Sequence, residues 1–192
     1  MTRPAVAALA LLCCASPAGA QPAPDPAAAV MERVRAGIAA SRCPTATARP
    51  AAPPTTLSDA TVREATVHRI LIDGCGQRLQ RNFLALILPD GTRRLAEMLP
   101  GSTLTDPVLQ RDAMQAARMG AQAAAPNCQQ IAPRGAEFDG SDAEPNAPRR
   151  TRPWTETWMF EACGALLGVP MLFTPTDRGT SYTAQAGVRR LN

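Results

Sequence analysis

Two stretches of the chain place apolar residues at intervals of three to four, the spacing of one face of a helix. In the first stretch, Val30, Val34 and Ile38 recur in this way, with charged residues between them. Asp25-Pro26 precedes the stripe, and these two residue types favour the N-cap and the first helical position. The pattern therefore predicts a helix that begins after Asp25 and ends near residue 42.

The second helical stretch has the same opening, Asp106-Pro107. Its stripe consists mostly of small residues: Leu109, Ala113, Ala117, Gly120, Ala121 and Ala124. Side chains this short let a helix lie close to the surface on which it packs. We expect this second helix to stop before Pro126, which cannot continue it.

Runs rich in branched and aromatic residues follow each helix and predict strands. After the first helix these runs cover residues 66–73 and 82–88. After the second helix they cover residues 154–163, 166–173 and 180–186. The turn-forming residues between the runs favour antiparallel hairpins or a meander.

Two segments between the helices and the predicted strands have a different composition. Residues 44–56 are dense in Pro, Ala and Thr, and residues 132–153 are charged and contain both Pro and Gly. Such composition is typical of surface loops. The sequence predicts that residues 132–153 form the flexible loop of the chain.

A series of landmarks occurs twice along the chain, in the same order and 81 to 88 residues apart. The first set is Asp25-Pro26, Cys43, Cys75-Gly76 and Asp90, and the second is Asp106-Pro107, Cys128, Cys163-Gly164 and Asp177. This predicts an internal repeat with two units, residues 21–104 and 105–192, each built as helix, loop and antiparallel hairpin or meander. The predicted fold class is α+β, with the helices packed on sheet.

The four cysteines in these units allow three disulfide connectivities, and spacing alone does not choose among them. If each unit is self-contained, the bonds are Cys43–Cys75 and Cys128–Cys163. The other two connectivities require the units to be intertwined. We therefore expect one disulfide inside each unit, joining the end of the helix to the hairpin.

The first 20 residues have the composition of a cleavable secretory signal. A basic start precedes an apolar run at residues 6–15, and the small residues Ala18-Gly19-Ala20 form a cleavage site. The run is about ten residues, shorter than the ~20 that a membrane span needs. A lipoprotein signal is the alternative, but Leu12 precedes Cys13 where a small residue is expected. We predict cleavage after Ala20 and a periplasmic or secreted protein without a transmembrane segment.

Charge gives little indication of a partner. All 20 basic residues are arginine, against 16 acidic residues, for a net charge of +4. The densest basic run, Arg149, Arg150 and Arg152, lies in the Pro-rich loop beside acidic residues. That arrangement is more typical of a solvated linker than of a nucleic-acid surface, so no nucleic-acid partner is expected.

Residue types that carry enzyme chemistry are sparse. The single histidine, His68, falls in a predicted strand, and no Gly-x-Ser-x-Gly motif accompanies it for a catalytic triad. Cys-x-x-Cys pairs and cofactor-binding motifs are absent from the sequence, so no metal or cofactor is expected. Paired carboxylates of a small hydrolase acting on envelope polymers are the enzymatic alternative. The candidates, which lie in or beside the strands, are Asp73, Asp90, Glu156, Glu161 and Asp177.

Aromatic residues are rare, at 4% of the chain, and they cluster in the last 40 residues. Trp154, Trp158 and Phe160 share one strand parity, with Glu156 between the two tryptophans. This spacing allows two interpretations. Trp154 and Trp158 form a binding platform on the sheet for a sugar or a protein, or they form the core beneath the second helix.

The landmarks of the last segment are Trp158, Cys163-Gly164, Phe173, Pro175 and Gly179-Thr180. In these residues the chain resembles the ends of small exported bacterial proteins that carry no known function. Those proteins often have Gly-Gly-Thr at the last turn, where this chain has Arg178-Gly179-Thr180. The resemblance implies an envelope protein with a disulfide-bonded, β-rich end, and it implies no activity. We therefore expect a non-catalytic binding or structural module for a protein or glycan of the envelope.

Overall fold

The computed structural model of this chain describes residues 25–140 and 151–192. The predicted signal at residues 1–20 and part of the predicted loop at 132–153 lie outside these ranges. The described residues form two helices and two antiparallel sheets, arranged as two tandem units. This α+β arrangement, with a disulfide in each unit, confirms the predicted fold class.

Each unit opens with a helix whose first turn is capped by an aspartate. Helix α1 spans Pro26–Ala39, and the Asp25 carboxylate accepts a hydrogen bond from the backbone N–H of Ala27 at 3.2 Å. Helix α2 spans Pro107–Ala124, and Asp106 accepts from two backbone N–H groups at 2.8 and 2.9 Å. Neither described helix is long and apolar enough to cross a membrane.

The first sheet consists of five strands arranged around a long central hairpin. In chain order they are β1 (Thr47–Pro50), β2 (Thr55–Leu57), β3 (Glu64–Gly74), β4 (Gln77–Ile87) and β5 (Arg93–Glu97). Strand β3 pairs with β4 over its whole length, while β1 and β2 pair in succession with the other side of β3. Strand β5 pairs with β4 and forms the opposite edge.

The second sheet repeats this plan with one change at each edge. Its strands are β6 (Ile131–Phe138), β7 (Trp154–Ala162), β8 (Ala165–Thr176), β9 (Gly179–Ala184) and β10 (Arg189–Arg190). Here the first edge is the single strand β6, and the last edge is divided between β9 and β10, which both pair with β8. The central hairpin again carries the Cys-Gly turn.

The predicted loops at residues 44–56 and 132–153 are corrected by the structure, because both contain strands. Strands β1 and β2 occupy the first segment, and β6 occupies the start of the second. These strands lie at sheet edges, where proline costs little because one side of the strand needs no donor. In β6 the register shifts between Pro133 and Gly135, a bulge that accommodates the irregular composition. Residues 141–150 of the predicted loop lie outside the described chain.

Both disulfides join the segment after a helix to the central hairpin of the same unit. The Cα atoms are 6.1 Å apart in Cys43–Cys75 and 5.8 Å apart in Cys128–Cys163. Each hairpin turn is a Cys-Gly pair with positive φ at both residues, 49° and 73° in the first unit and 48° and 80° in the second. Two positive φ values give the turn the twist that a two-residue hairpin requires. The predicted connectivity is confirmed.

Each helix packs on one face of its own sheet. Helix α1 contributes Val30 and Val34 to a small core with Ile70 and Phe83. Helix α2 contributes three alanines, each fully buried, to a larger core that contains all the large aromatic residues of β7 and β8. The small side chains of α2 let it approach the sheet closely, as predicted: a Cβ on Gly120 would lie 2.9 Å from a methyl group of Val169.

The two sheets are joined by residues 98–102, which continue β5 toward the second unit. On one side of this segment, the Gly101 N–H donates to the carbonyl of Gln80 in β4 at 2.8 Å. On the other side, the Pro100 carbonyl accepts from the Ala136 N–H in β6 at 2.9 Å. A single segment therefore holds both units through backbone hydrogen bonds.

Candidate functional site

The two tryptophans predicted as a possible binding platform lie in the core. Trp158 is fully buried and Trp154 is 9% exposed. The ring of Trp154 stacks on Phe173 with centroids 5.2 Å apart, and Trp158 lies tilted against the same phenylalanine at 6.1 Å. Because α2 covers this face of the sheet, neither indole ring is available to a sugar or a partner protein. Burial of both rings favours the core interpretation over the platform interpretation.

Glu156, which lies between the tryptophans, is also fully buried. Its carboxylate accepts hydrogen bonds from the indole N–H groups of Trp154 and Trp158, at 3.2 and 2.9 Å. It accepts two more from the Thr103 hydroxyl and the Leu104 backbone N–H, at 2.9 and 2.7 Å. Four donors surround this carboxylate, which satisfies the requirement that a buried charge be hydrogen bonded.

This arrangement makes Glu156 a structural anchor rather than a catalytic acid. Thr103 and Leu104 belong to the connection between the units, so the carboxylate ties that connection to strand β7. This role of Glu156 is indicated in the sequence by the alternation Trp154-x-Glu156-x-Trp158. The alternation places one acceptor between two indole donors on the same strand face. Glu161 has the opposite strand parity to Glu156, and it is exposed and forms an ion pair with Arg134.

His68 occupies the position in β3 that Glu156 occupies in β7, seven residues before the hairpin cysteine. It is 5% exposed, and its Nε2 lies 3.2 Å from the Thr66 hydroxyl. Burial lowers the pKa of His68, and the carboxylates of Asp25 and Glu64 partly oppose this by raising it. The imidazole lies in a strand, as predicted, and it has a local hydrogen-bond partner.

The described residues form a cleft between the two units, with a volume of about 560 Å³. It lies beside β5 and the connecting segment, against the first half of α2. Its lining is mainly apolar and comprises Leu84, Ala96, Glu97, Met98, Leu99, Pro100, Pro107, Gln110, Arg111, Met114 and Pro133. We call this feature the inter-unit cleft. No sequence pattern indicates this cleft, because its walls come from both units.

The polar residues of the inter-unit cleft already have partners. The Gln110 side chain accepts from the Leu99 backbone N–H at 3.2 Å and donates to the Thr105 carbonyl at 3.3 Å. The Glu97 carboxylate accepts from Arg81 at 2.7 Å. The groups left to contact a ligand are therefore mostly apolar side chains, including the thioethers of Met98 and Met114.

A second, smaller cavity of about 360 Å³ lies on the face of the second sheet opposite α2. It is lined by Asp139, Thr157, Gly168, Pro170, Gly187 and Arg189. Both oxygens of the Asp139 carboxylate lie within hydrogen-bond distance of the Thr157 hydroxyl, at 3.0 and 3.1 Å. Each of the two cavities thus contains one carboxylate, Glu97 or Asp139, so neither holds the pair that a glycosidase mechanism requires.

Among residues 25–140 and 151–192, no group of three His, Cys, Asp or Glu side chains is placed to hold a metal ion. Comparisons with protein-family models, with curated proteins and with solved structures found no match to this chain.

Proposed function

We propose that this chain is an exported, non-catalytic module of the bacterial envelope that binds a partner in the inter-unit cleft. The observation that carries the proposal is the cleft itself, an apolar groove at the junction of the two units. Ligand sites occur preferentially at domain junctions and are lined mostly by apolar groups with a few placed polar ones. The apolar lining favours a protein partner over a glycan.

Two features of the chain support its place outside the cytoplasm. Both disulfides join residues of one unit, and such bonds persist in oxidising compartments such as the periplasm. The signal at residues 1–20, with cleavage after Ala20, supplies a route there. We propose a periplasmic or secreted location on this basis.

The proposal is tested with two methionine substitutions on the same helix. Met114 lines the cleft, whereas Met119 is 64% exposed and does not line it. Immobilised mature protein is incubated with envelope extract, and retained proteins are identified by mass spectrometry. We expect Met114→Arg to lose a partner that both the wild type and Met119→Arg retain, because a guanidinium in the cleft opposes burial of apolar surface.

Thermal unfolding followed by circular dichroism shows whether each variant is folded. Sedimentation with purified peptidoglycan tests the glycan alternative in the same three proteins. If all three proteins retain the same partners to the same extent, the cleft is not the binding site and the proposal fails.

A further inference from the structure

The backbone of β5 has a fixed orientation next to the inter-unit cleft. Just before the strand, the Thr92 carbonyl accepts from the N–H of Leu88, the residue after β4, at 2.8 Å. Just beyond the other end, the Met98 N–H donates to Asn82 in β4 at 2.9 Å. In an antiparallel pair, alternate residues exchange hydrogen bonds with the neighbour, so the even-numbered residues from 92 to 98 face β4. The N–H and C=O groups of Arg93, Leu95 and Glu97 therefore point away from the sheet.

These three outward-facing residues have no backbone partner among the described residues, and every residue of β5 is exposed. Farther along the same edge, the outward-facing backbone groups are already hydrogen bonded. The Leu99 N–H is taken by the side chain of Gln110, and the Pro100 carbonyl by the backbone of β6. The edge is thus paired where the two units meet and open where the inter-unit cleft adjoins β5.

We infer that the partner bound in the inter-unit cleft is an extended peptide segment of another protein, which pairs with β5 as an added strand. This inference rests on the proposed function and specifies its ligand. Backbone pairing with an open edge provides affinity, while pockets beside the edge select alternate side chains. The apolar cleft wall formed by Leu99, Pro107 and Met114 selects apolar side chains on the face of the peptide that it contacts.

Charge adds one more requirement for the peptide. The open edge begins with Arg93 and Arg94, both exposed. An acidic residue in the peptide near this end would be favoured by the two guanidinium groups, although exposed ion pairs contribute more to partner choice than to affinity. The expected ligand is therefore a linear segment of alternating apolar residues with an acidic residue near one end.

The experiment begins with a phage library of randomised linear decapeptides selected on the immobilised mature protein. A selected peptide is synthesised, and each backbone amide is N-methylated in turn. In an added strand only alternate N–H groups face β5, so we expect methylation to weaken binding about tenfold at every second position and little in between. Uniform sensitivity, uniform tolerance, or failure to select any peptide would overturn the inference.

Two substitutions at Leu95 test whether the backbone of β5 takes part in binding the peptide. Leu95→Pro removes one outward N–H and no hydrogen bond to β4, whereas Leu95→Ala keeps that N–H. We expect Leu95→Pro to bind the selected peptide about tenfold more weakly than Leu95→Ala. The peptide methylation scan uses the wild-type protein and is independent of any effect of proline on folding.

The outcomes separate this inference from the proposed function. If Met114→Arg abolishes capture of a partner while Leu95→Pro and Leu95→Ala capture it equally, the cleft binds but strand addition is wrong. If Met114→Arg has no effect, the proposed function itself is wrong. Concentration-dependent dimerisation that Leu95→Pro abolishes would identify a second copy of this chain as the occupant, which also contradicts the inference.

Discussion

The buried carboxylate of Glu156 offers the sharpest test of how this fold is held together. Replacing it by glutamine keeps the shape of the side chain but puts an amide NH₂ where one oxygen was. At the position of Oε1 the NH₂ would face two N–H donors, from Leu104 and Trp154. At the position of Oε2 it would face the Trp158 indole N–H and the Thr103 hydroxyl. Only the hydroxyl can reverse its role and accept.

The better orientation of Glu156→Gln therefore leaves the Trp158 N–H without an acceptor. An unsatisfied buried donor costs about 1–3 kcal/mol, and the remaining bonds lose the assistance of a full charge. We expect the free energy of unfolding to fall by about 2–4 kcal/mol, a large part of the ~5–15 kcal/mol typical of a domain. Glu156→Met removes every acceptor and should cost more.

Urea unfolding followed by tryptophan fluorescence measures this change, because both tryptophans contact the substituted side chain. The matched control is Glu161→Gln on the same strand, which breaks only an exposed ion pair with Arg134. Such pairs contribute about 0–1 kcal/mol. Equal stabilities for Glu156→Gln and Glu161→Gln would show that the four hydrogen bonds do not stabilise the fold. If Glu156→Met left the free energy of unfolding unchanged, the hydrogen bonds of the carboxylate would only offset the cost of removing it from water.

Three further predictions follow from the same structure. Non-reducing peptide mapping should find both disulfides within their units and no free thiol, and replacing Cys43 and Cys75 by serine should lower stability by about 3.5–4 kcal/mol. Because burial lowers the pKa of His68, its contribution to stability is present above pH ~6.5 and is lost as the pH falls through the folded pKa. Below that pH, the free energy of unfolding of the wild type should therefore fall relative to that of His68→Asn. A difference between the two proteins that stays constant with pH would contradict this. Gly91→Ala should cost about 1 kcal/mol for its positive φ alone. Gly101→Ala should cost at least about 2 kcal/mol more in urea unfolding, since its Cβ would lie 2.0 Å from the Ala136 carbonyl oxygen.

Much of the local structure could be predicted because single residues carry strong local preferences. Asp25-Pro26 and Asp106-Pro107 mark helix starts through capping geometry, and both helices begin there. The repeated landmarks selected the within-unit disulfides from three alternatives, and the structure has those bonds. The origin of the two units by duplication stays a prediction.

The edge strands could not be predicted for an equally physical reason. An edge strand needs hydrogen-bond partners on one side only, so it tolerates Pro and Gly and lacks the apolar run that marks a central strand. Strands β1 and β6 each contain a proline and were predicted as loops. Their pairing is decided by the long hairpin next to them rather than by their own composition.

The amino-acid sequence by itself determined the helices, the central hairpins, the disulfide connectivity and the shared strand face of Trp154, Glu156 and Trp158. Those features depend on local preferences and on residue spacing, which are properties of the chain alone. Only the tertiary structure decided that α2 covers that strand face, which buries both tryptophans and leaves them no role as a binding platform. It also created the inter-unit cleft, because the walls of the cleft come from both units. The edge of β5 is open because strand pairing places β5 last in its sheet, with no further strand of the described residues beside it.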